Sequence, residues 1–253
     1  MQFILPDNIF TKILSSVLDN GLKKKLQFSE ASLIAEKLKS TQESIALLPV
    51  TDLINNRDLF VSSKIGISFE GNLANSYIYF SGSGDKITDV SLCGDVSSVE
   101  VLLTKILFKE LFNISPEITL SADRSQLKNK NHIVVGNQNF TDGYYKNGVS
   151  FAEEIVEVLQ LPFVNYILVS DSSELLKSAN LLFEKTDDLI YDYVKEEKFS
   201  SGYSSELDLF IADNIGSVIY NLDSQDIEGI RQILSLPFYY GMIEDLFEVK
   251  FID

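Results

Sequence analysis

Two adjacent serines stand where the negative end of a ligand could be held. The stretch CGDVSSVEVLLTKIL, residues 93–107, starts as a short apolar run that stops at Gly94. After Ser97 and Ser98, the residues Val99, Leu102, Leu103, Ile106 and Leu107 recur at helical spacing, which predicts a helix from about residue 98. The first N–H groups of a helix have no acceptor within it, and the macrodipole adds a positive field that suits a carboxylate or phosphate. The same letters also spell a capping box. Ser97 would cap the N–H of Glu100, and the Glu100 side chain would return to the N–H of Ser97. Glu100 would also repel an anion. The two roles are compatible, because Ser98 can face a cleft while Ser97 caps.

Other polar residues fall just past apolar runs. Asn137 follows the strand-like HIVV and a glycine, a position that faces a cleft or makes a Gly-Asn turn. Asn8 follows the first apolar run and is a natural helix N-cap as well as a cleft candidate. Thr51 ends SIALLPV, and Ser76 lies in the alternating NSYIYFS, where simple packing is the competing role. His132, the only histidine, is flanked by KNKN and reads as a surface residue. Glu153-Glu154 and Asp187-Asp188 read as solvated helix faces, and the aromatic PFYYGMI near the C-terminus reads as core. No Ser/His/Asp, Cys/His, P-loop or G-x-G-x-x-G pattern is present. One cysteine, Cys93, and one histidine exclude an internal disulfide and disfavour a conventional zinc site.

Those residues need elements to carry them. The first 80 residues alternate strand and helix: QFILPD, then an amphipathic helix through Ile9, Ile13 and Val17, then KKLQFS, a second helix, the buried-type strand SIALLPV, and the strands KIGISFEG and NSYIYFSG. Such alternation argues for an α/β sheet with parallel elements. SGSGD at 81–85 reads as a joint. The alternation then restarts with DVSLCG, the Ser98 helix, EITLSA, HIVVGN, a helix in SFAEEIVEVLQ and the strand LPFVNYILVS. A long helix over SSELLKSANLLFEKTDDLIYDYVKEE and a mainly helical last third follow. The expected fold is α/β with two lobes and a hinge. Lobe 1 is discontinuous, 1–84 and 168–253, and lobe 2 spans 85–167. Ligands of such proteins sit between the lobes, at strand carboxyl ends and helix starts.

The net charge of −16 sets limits on partners. Nucleic acid is disfavoured, because phosphate binding needs clustered Lys and Arg, and GLKKKLQF is the only basic run. No apolar run approaches the roughly 20 residues of a membrane helix. The N-terminus lacks the basic start of a secretory signal, so a cytoplasmic location is expected.

Taken in order, several segments resemble the menaquinone-biosynthesis proteins of the futalosine route. SIALLPVTDL resembles their D-V-A-L-I-P-S-x-E strand, and GNLANSYIYFSG their G-P-V-x-S-V-x-L-F-S strand. VSSVEVLLTKILFKELFNISPE resembles their x-S-x-T-S-x-x-L-L segment, and HIVVGNQ resembles x-L-I-G-D-x-A. SFAEEIVEVLQLPFVNYILV and IYNLDSQDIEGIRQILSLPFYYGMI resemble the later motifs, so the order holds over nearly the whole chain. The resemblance implies a type II periplasmic-binding-protein fold with a cytoplasmic, enzymatic role. One branch is chorismate dehydratase, which removes water from chorismate to give a carboxyvinyloxy-benzoate. The sister branch uses a histidine where this chain has VVGN, which disfavours it.

On this resemblance Ser97 and Ser98 match the Thr-Ser that holds a ligand carboxylate. Thr51, Ser76 and Asn137 would line the same cleft, and Asn8 is the counterpart of an opening asparagine. The chain departs from the family where contacts would lie. Asn137 replaces an aspartate, Ser150 an aspartate, Ile155 a tryptophan and Leu159 a threonine. The expected ligand is a small carboxylate. No cofactor or metal is called for, and no catalytic base stands out. The alternatives are a non-catalytic carboxylate binder of the same fold, acting as a sensor or accessory protein, and the solute-binding component of a transporter.

Overall fold

The computed structural model describes residues 1–81, 87–196 and 198–253. Apart from Ser81, the joint expected at 81–85 therefore lies outside the described residues. Among the described residues no helix is long and apolar enough to cross a membrane.

In chain order the described strands are β1 (Gln2–Pro6), β2 (Leu26–Ser29), β3 (Ser44–Pro49), β4 (Phe60–Phe69), β5 (Ser76–Tyr79), β6 (Asp89–Gly94), β7 (Glu117–Ser121), β8 (His132–Val135), β9 (Val149–Ser150), β10 (Phe163–Ser170), β11 (Val218–Asn221) and β12 (Lys250–Ile252). They form two sheets. The first runs β11-β4-β10-β3-β1-β2, with β12 also paired to β4, and the second runs β7-β6-β8-β5-β9. Each sheet has a parallel heart, β2-β1-β3 in one and β7-β6-β8 in the other. Antiparallel strands complete them: β10 lies between β3 and β4, while β5 lies between β8 and β9. The expected two-lobed α/β architecture is present, with sheets more mixed than the βα alternation implied.

Burial explains the apolar runs of the central strands. Every residue of β3 is buried, as is every residue of β8 and β10. Strands covered on both faces carry continuous apolar runs rather than alternation. Helices supply the cover, and the Ile9–Val17 helix turns Ile9, Phe10, Ile13 and Leu14 inward.

The lobe boundary differs from the expected one. The chain leaves the first sheet after Phe69 and enters the second at Ser76, and it returns between the Phe151–Leu159 helix and Phe163. A division at 84 would cut β5 from its partner β8, and one at 168 would split β10. The cause is pairing: β5 and β10 are both antiparallel additions, which the βα alternation does not register.

Four further expectations are corrected. The long helix after residue 171 is two, Ser173–Leu182 and Thr186–Lys195. The break docks onto β11. Asn221 donates to the Phe183 carbonyl at 2.8 Å, and the Asp187 carboxylate accepts from the N–H groups of Tyr220 and Asn221 at 2.7 and 3.0 Å. Asp187 is thus a tether rather than a solvated face. His132 is buried, not on the surface. Its ring stacks on Tyr79 at 4.9 Å, with Nδ1 2.7 Å from the Lys130 carbonyl and Nε2 2.9 Å from the Tyr144 hydroxyl. In PFYYGMI, Phe238 and Tyr239 are exposed, because the Ser224–Tyr239 helix turns Ile230, Ile233 and Leu234 inward instead.

Candidate functional site

Four loops meet where the lobes face each other, and each leaves the carboxyl end of a parallel strand. Asp7 and Asn8 follow β1, Thr51 and Asp52 follow β3, Asp95 to Ser98 follow β6, and Asn137 follows β8. Open α/β sheets gather ligand groups at such ends. The close approach of β6 and β8 depends on Gly94. Its φ is +98°, and a Cβ there would lie 2.1 Å from the Val135 carbonyl oxygen. That turn lets Asp95 project toward the first lobe.

The start of the Ser98–Phe112 helix divides its two serines. Ser97 is the N-cap and is buried. Its hydroxyl accepts from the Val99 N–H at 3.2 Å and donates to Glu100 Oε2 at 2.7 Å, while Glu100 Oε2 accepts from the Ser97 N–H at 3.0 Å. The capping box is therefore complete. Ser76 joins it, donating to Glu100 Oε1 at 3.1 Å. Ser97 and Ser76, both candidate ligand contacts, are thus spent on one fully buried carboxylate. Ser98 does something else: it reaches across to the first lobe, where it donates to Asp52 and lies 2.5 Å from the Thr51 hydroxyl.

The remaining candidates also sit at the contact. Asn137 donates from Nδ2 to the Asp7 carbonyl at 2.9 Å. Asn8 caps the Ile9–Val17 helix, its Oδ1 accepting from the Thr11 N–H at 3.0 Å. Its Nδ2 faces the Tyr166 hydroxyl without closing a well-formed hydrogen bond. Tyr166 comes from β10 and accepts from Asn75 Nδ2 at 3.3 Å. Asn75 Oδ1 and Asn137 Oδ1 are buried without a partner. Asp95 Oδ1 makes a further bridge, accepting from the Ala31 N–H at 2.8 Å.

The electrostatics follow from burial. Asp52 is pushed above its usual range by burial, partly offset by the Ser98 hydrogen bond. Asp95 is pushed up to about 6 by burial, which outweighs the Ala31 N–H, with Glu30 and Asp7 raising it further. Glu100 is raised by burial against its Ser97 and Ser76 hydrogen bonds. The Tyr166 hydroxyl is held well above its usual value by burial and by the charges of Glu100 and Asp95. Among the described residues, no group of His, Cys, Asp and Glu is arranged to hold a metal ion.

The site therefore includes four residues that sequence reading passed over: Asp52, Asn75, Asp95 and Tyr166. Asp52 and Asn75 adjoin the candidates Thr51 and Ser76, and Asp95 lies inside CGDVSS, so strand-end position was the available signal. Tyr166 sits within the apolar run LPFVNYILVS and carried none.

Two α/β lobes linked by two crossovers, with strand-end loops from both meeting between them, define the periplasmic-binding-protein fold. Solved structures of that class resemble this chain over almost its whole length. The ligand-binding component of an ABC-type import system from Staphylococcus aureus, determined with zinc bound, is 11% identical with a TM-score of 0.62, covering 100% of this chain and 96% of its own. Protein AF1704 from Archaeoglobus fulgidus is 10% identical with a TM-score of 0.59, covering 95% and 98%. The periplasmic aliphatic sulphonate binding protein SsuA from Escherichia coli is 10% identical with a TM-score of 0.56, covering 99% and 89%. No family model matches the chain, and no curated protein matches it in sequence.

Proposed function

We propose that this chain binds a small molecule between its lobes and closes on it. One observation carries the reading: Ser98 of the second lobe meets Thr51 and Asp52 of the first, Asn137 reaches the Asp7 carbonyl across the same junction, and the buried polar atoms of Asn8, next to Asp7, and of Asn75, beside Tyr166, are not all partnered. Buried polar atoms normally find partners, so unpartnered ones at a junction of lobes fit a site that a ligand completes. Solute binding by neighbours of this fold, such as the sulphonate binding protein, supports the same reading.

Chorismate dehydration is the second reading, carried by the ordered segments of the resemblance. It asks the Ser98 helix start to receive a substrate carboxylate. In the structure that serine faces the carboxylate of Asp52, which favours the binding reading over the dehydratase. Both readings meet in one experiment. The purified protein is incubated with chorismate and the products are weighed by mass spectrometry, alongside a thermal-shift screen of small polar metabolites. Loss of one water from chorismate supports the enzyme. A shift of several degrees by a library member, abolished by Asn75→Leu, supports the binder. No turnover and no shift by any member rejects both.

A further inference from the structure

If the cleft binds a ligand as proposed, its chemistry constrains that ligand. The loops around it present oxygen acceptors with a negative field. Asp52 and Asp95 come from opposite lobes, Asp7 and Glu30 lie close enough to Asp95 to act on it, and Glu100 lies close enough to act on Tyr166. Among the described residues, the ion pairs bring no cation to Asp52, Asp95, Glu30 or Glu100. Lys12 serves Asp7 at 2.9 Å, at an exposed pair on the rim. Of the unpartnered side-chain amide atoms of Asn8, Asn75 and Asn137, Asn75 Oδ1 and Asn137 Oδ1 are acceptors and Asn8 Nδ2 is a donor. Asn75 and Asn8 are 2% and 1% exposed, beside Tyr166, so they belong to the interior of the contact rather than its surface.

An anion entering this site would find the helix start already answered. Glu100 takes the Ser97 N–H, and Ser98 is turned to Asp52. Its charge would oppose Asp52 and Asp95 in a setting where water screens poorly. An organic cation meets the opposite situation. It can take a carboxylate oxygen at this junction in place of a direct Ser98–Asp52 or Asp95–Ala31 bridge. From Asp52 and Asp95, which opposite lobes bring to this junction through separate bridges to Ser98 and Ala31, and from the unpartnered acceptors of Asn75 and Asn137, we infer that the ligand is a small organic cation, an ammonium or guanidinium compound, rather than a carboxylate or sulphonate. The chain's net charge of −16 steers such a ligand inward and repels its anionic counterparts.

The test uses the full chain and matched probes. Putrescine, agmatine and choline are titrated by calorimetry at low ionic strength, against succinate, propanesulphonate and the uncharged carbon isostere of choline. The expected result is a cation bound at least roughly tenfold more tightly than its matched anion or neutral isostere, with the preference falling steeply as salt is added. In Asp52→Asn and Asp95→Asn, where the side-chain amide oxygen preserves an acceptor for Ser98 or Ala31, the preference is expected to vanish. An anion or the neutral isostere bound as well or better overturns the charge inference and leaves the binding reading standing. Cation preference that survives both substitutions moves the site elsewhere and overturns the inference. Silence from every probe and every member of the metabolite screen removes the binding reading itself.

Discussion

Two helix starts in this molecule are built alike and used differently. The Ser98–Phe112 helix and the Ser224–Tyr239 helix each open with a complete capping box, Ser97 with Glu100 and Asp223 with Asp226. In each the third-position acid is buried, 1% exposed at Glu100 and 2% at Asp226, and burial raises both carboxyls. The difference lies in the residue after the cap. Ser224 is exposed, whereas Ser98 crosses to Thr51 and Asp52 of the other lobe. A capping box is architecture wherever it occurs. Contact between the lobes enters through the neighbour that the box leaves unspent.

Removing the acids separates the two starts most strongly. Glu100 accepts from the Ser97 N–H, the Ser97 hydroxyl and the Ser76 hydroxyl, so Glu100→Ala leaves three buried donors unmatched. The expected loss is about 3 kcal/mol by urea denaturation. At the other start the acid accepts the Asp223 N–H at 2.9 Å, and Asp226→Ala is expected to cost about 1–2 kcal/mol. Equal losses at the two starts would mean that Ser76 adds nothing, and that β5 is not held to this helix through Glu100.

The capping boxes were legible in the letters, and the bridge was not. S-x-x-E before an apolar run specifies local hydrogen bonds within four residues, which sequence spacing encodes directly. The two sheets were legible for a similar reason, because strand and helix periods are local. The contact between Ser98 and Thr51 joins residues 47 apart in sequence, and no spacing rule reaches it. Tyr166 was hidden more deeply, since a tyrosine inside a buried strand looks like core until a neighbour such as Asn75 reveals its hydroxyl. The lobe boundary slipped for the same reason: β5 and β10 are placed by antiparallel pairing with distant strands.

Asp95 sharpens the comparison through pH. It lies two residues before the cap at the first helix start and accepts from Ala31 of the other lobe. Its carboxyl stands at about 6, above the ordinary value of 3.8 expected in the unfolded chain. The folded state therefore holds the proton more tightly. The stabilisation this group contributes is full below 3.8 and is lost as pH rises through about 6. Asp95→Asn keeps an acceptor that stays neutral throughout. The variant is expected to match the wild type in acid and to exceed it above pH 6 by about 1 kcal/mol, reduced by the partial exposure of the group. Melting curves of both proteins across that range provide the check. Parallel curves would mean that the fold does not strain this carboxyl.

The smallest effect is the one most specific to the cleft. Ser98→Ala removes the hydroxyl that faces Thr51 and Asp52 while leaving Ser97 and its box intact. Its stability cost is expected to be about 1 kcal/mol, since the part-buried Asp52 keeps access to water at the cleft edge. Ser224→Ala, at an exposed position, should stay within about 0.5 kcal/mol. Global stability barely separates the pair, so the reading must be local. Amide exchange over 50–55 and 95–99 should quicken in Ser98→Ala, because the lobes part more often once the bridge is gone. The same peptides should be unchanged in Ser224→Ala. If exchange is unaltered in both, the hydroxyl of Ser98 does not govern contact between the lobes. The two helix starts would then be equivalent in use as well as in construction.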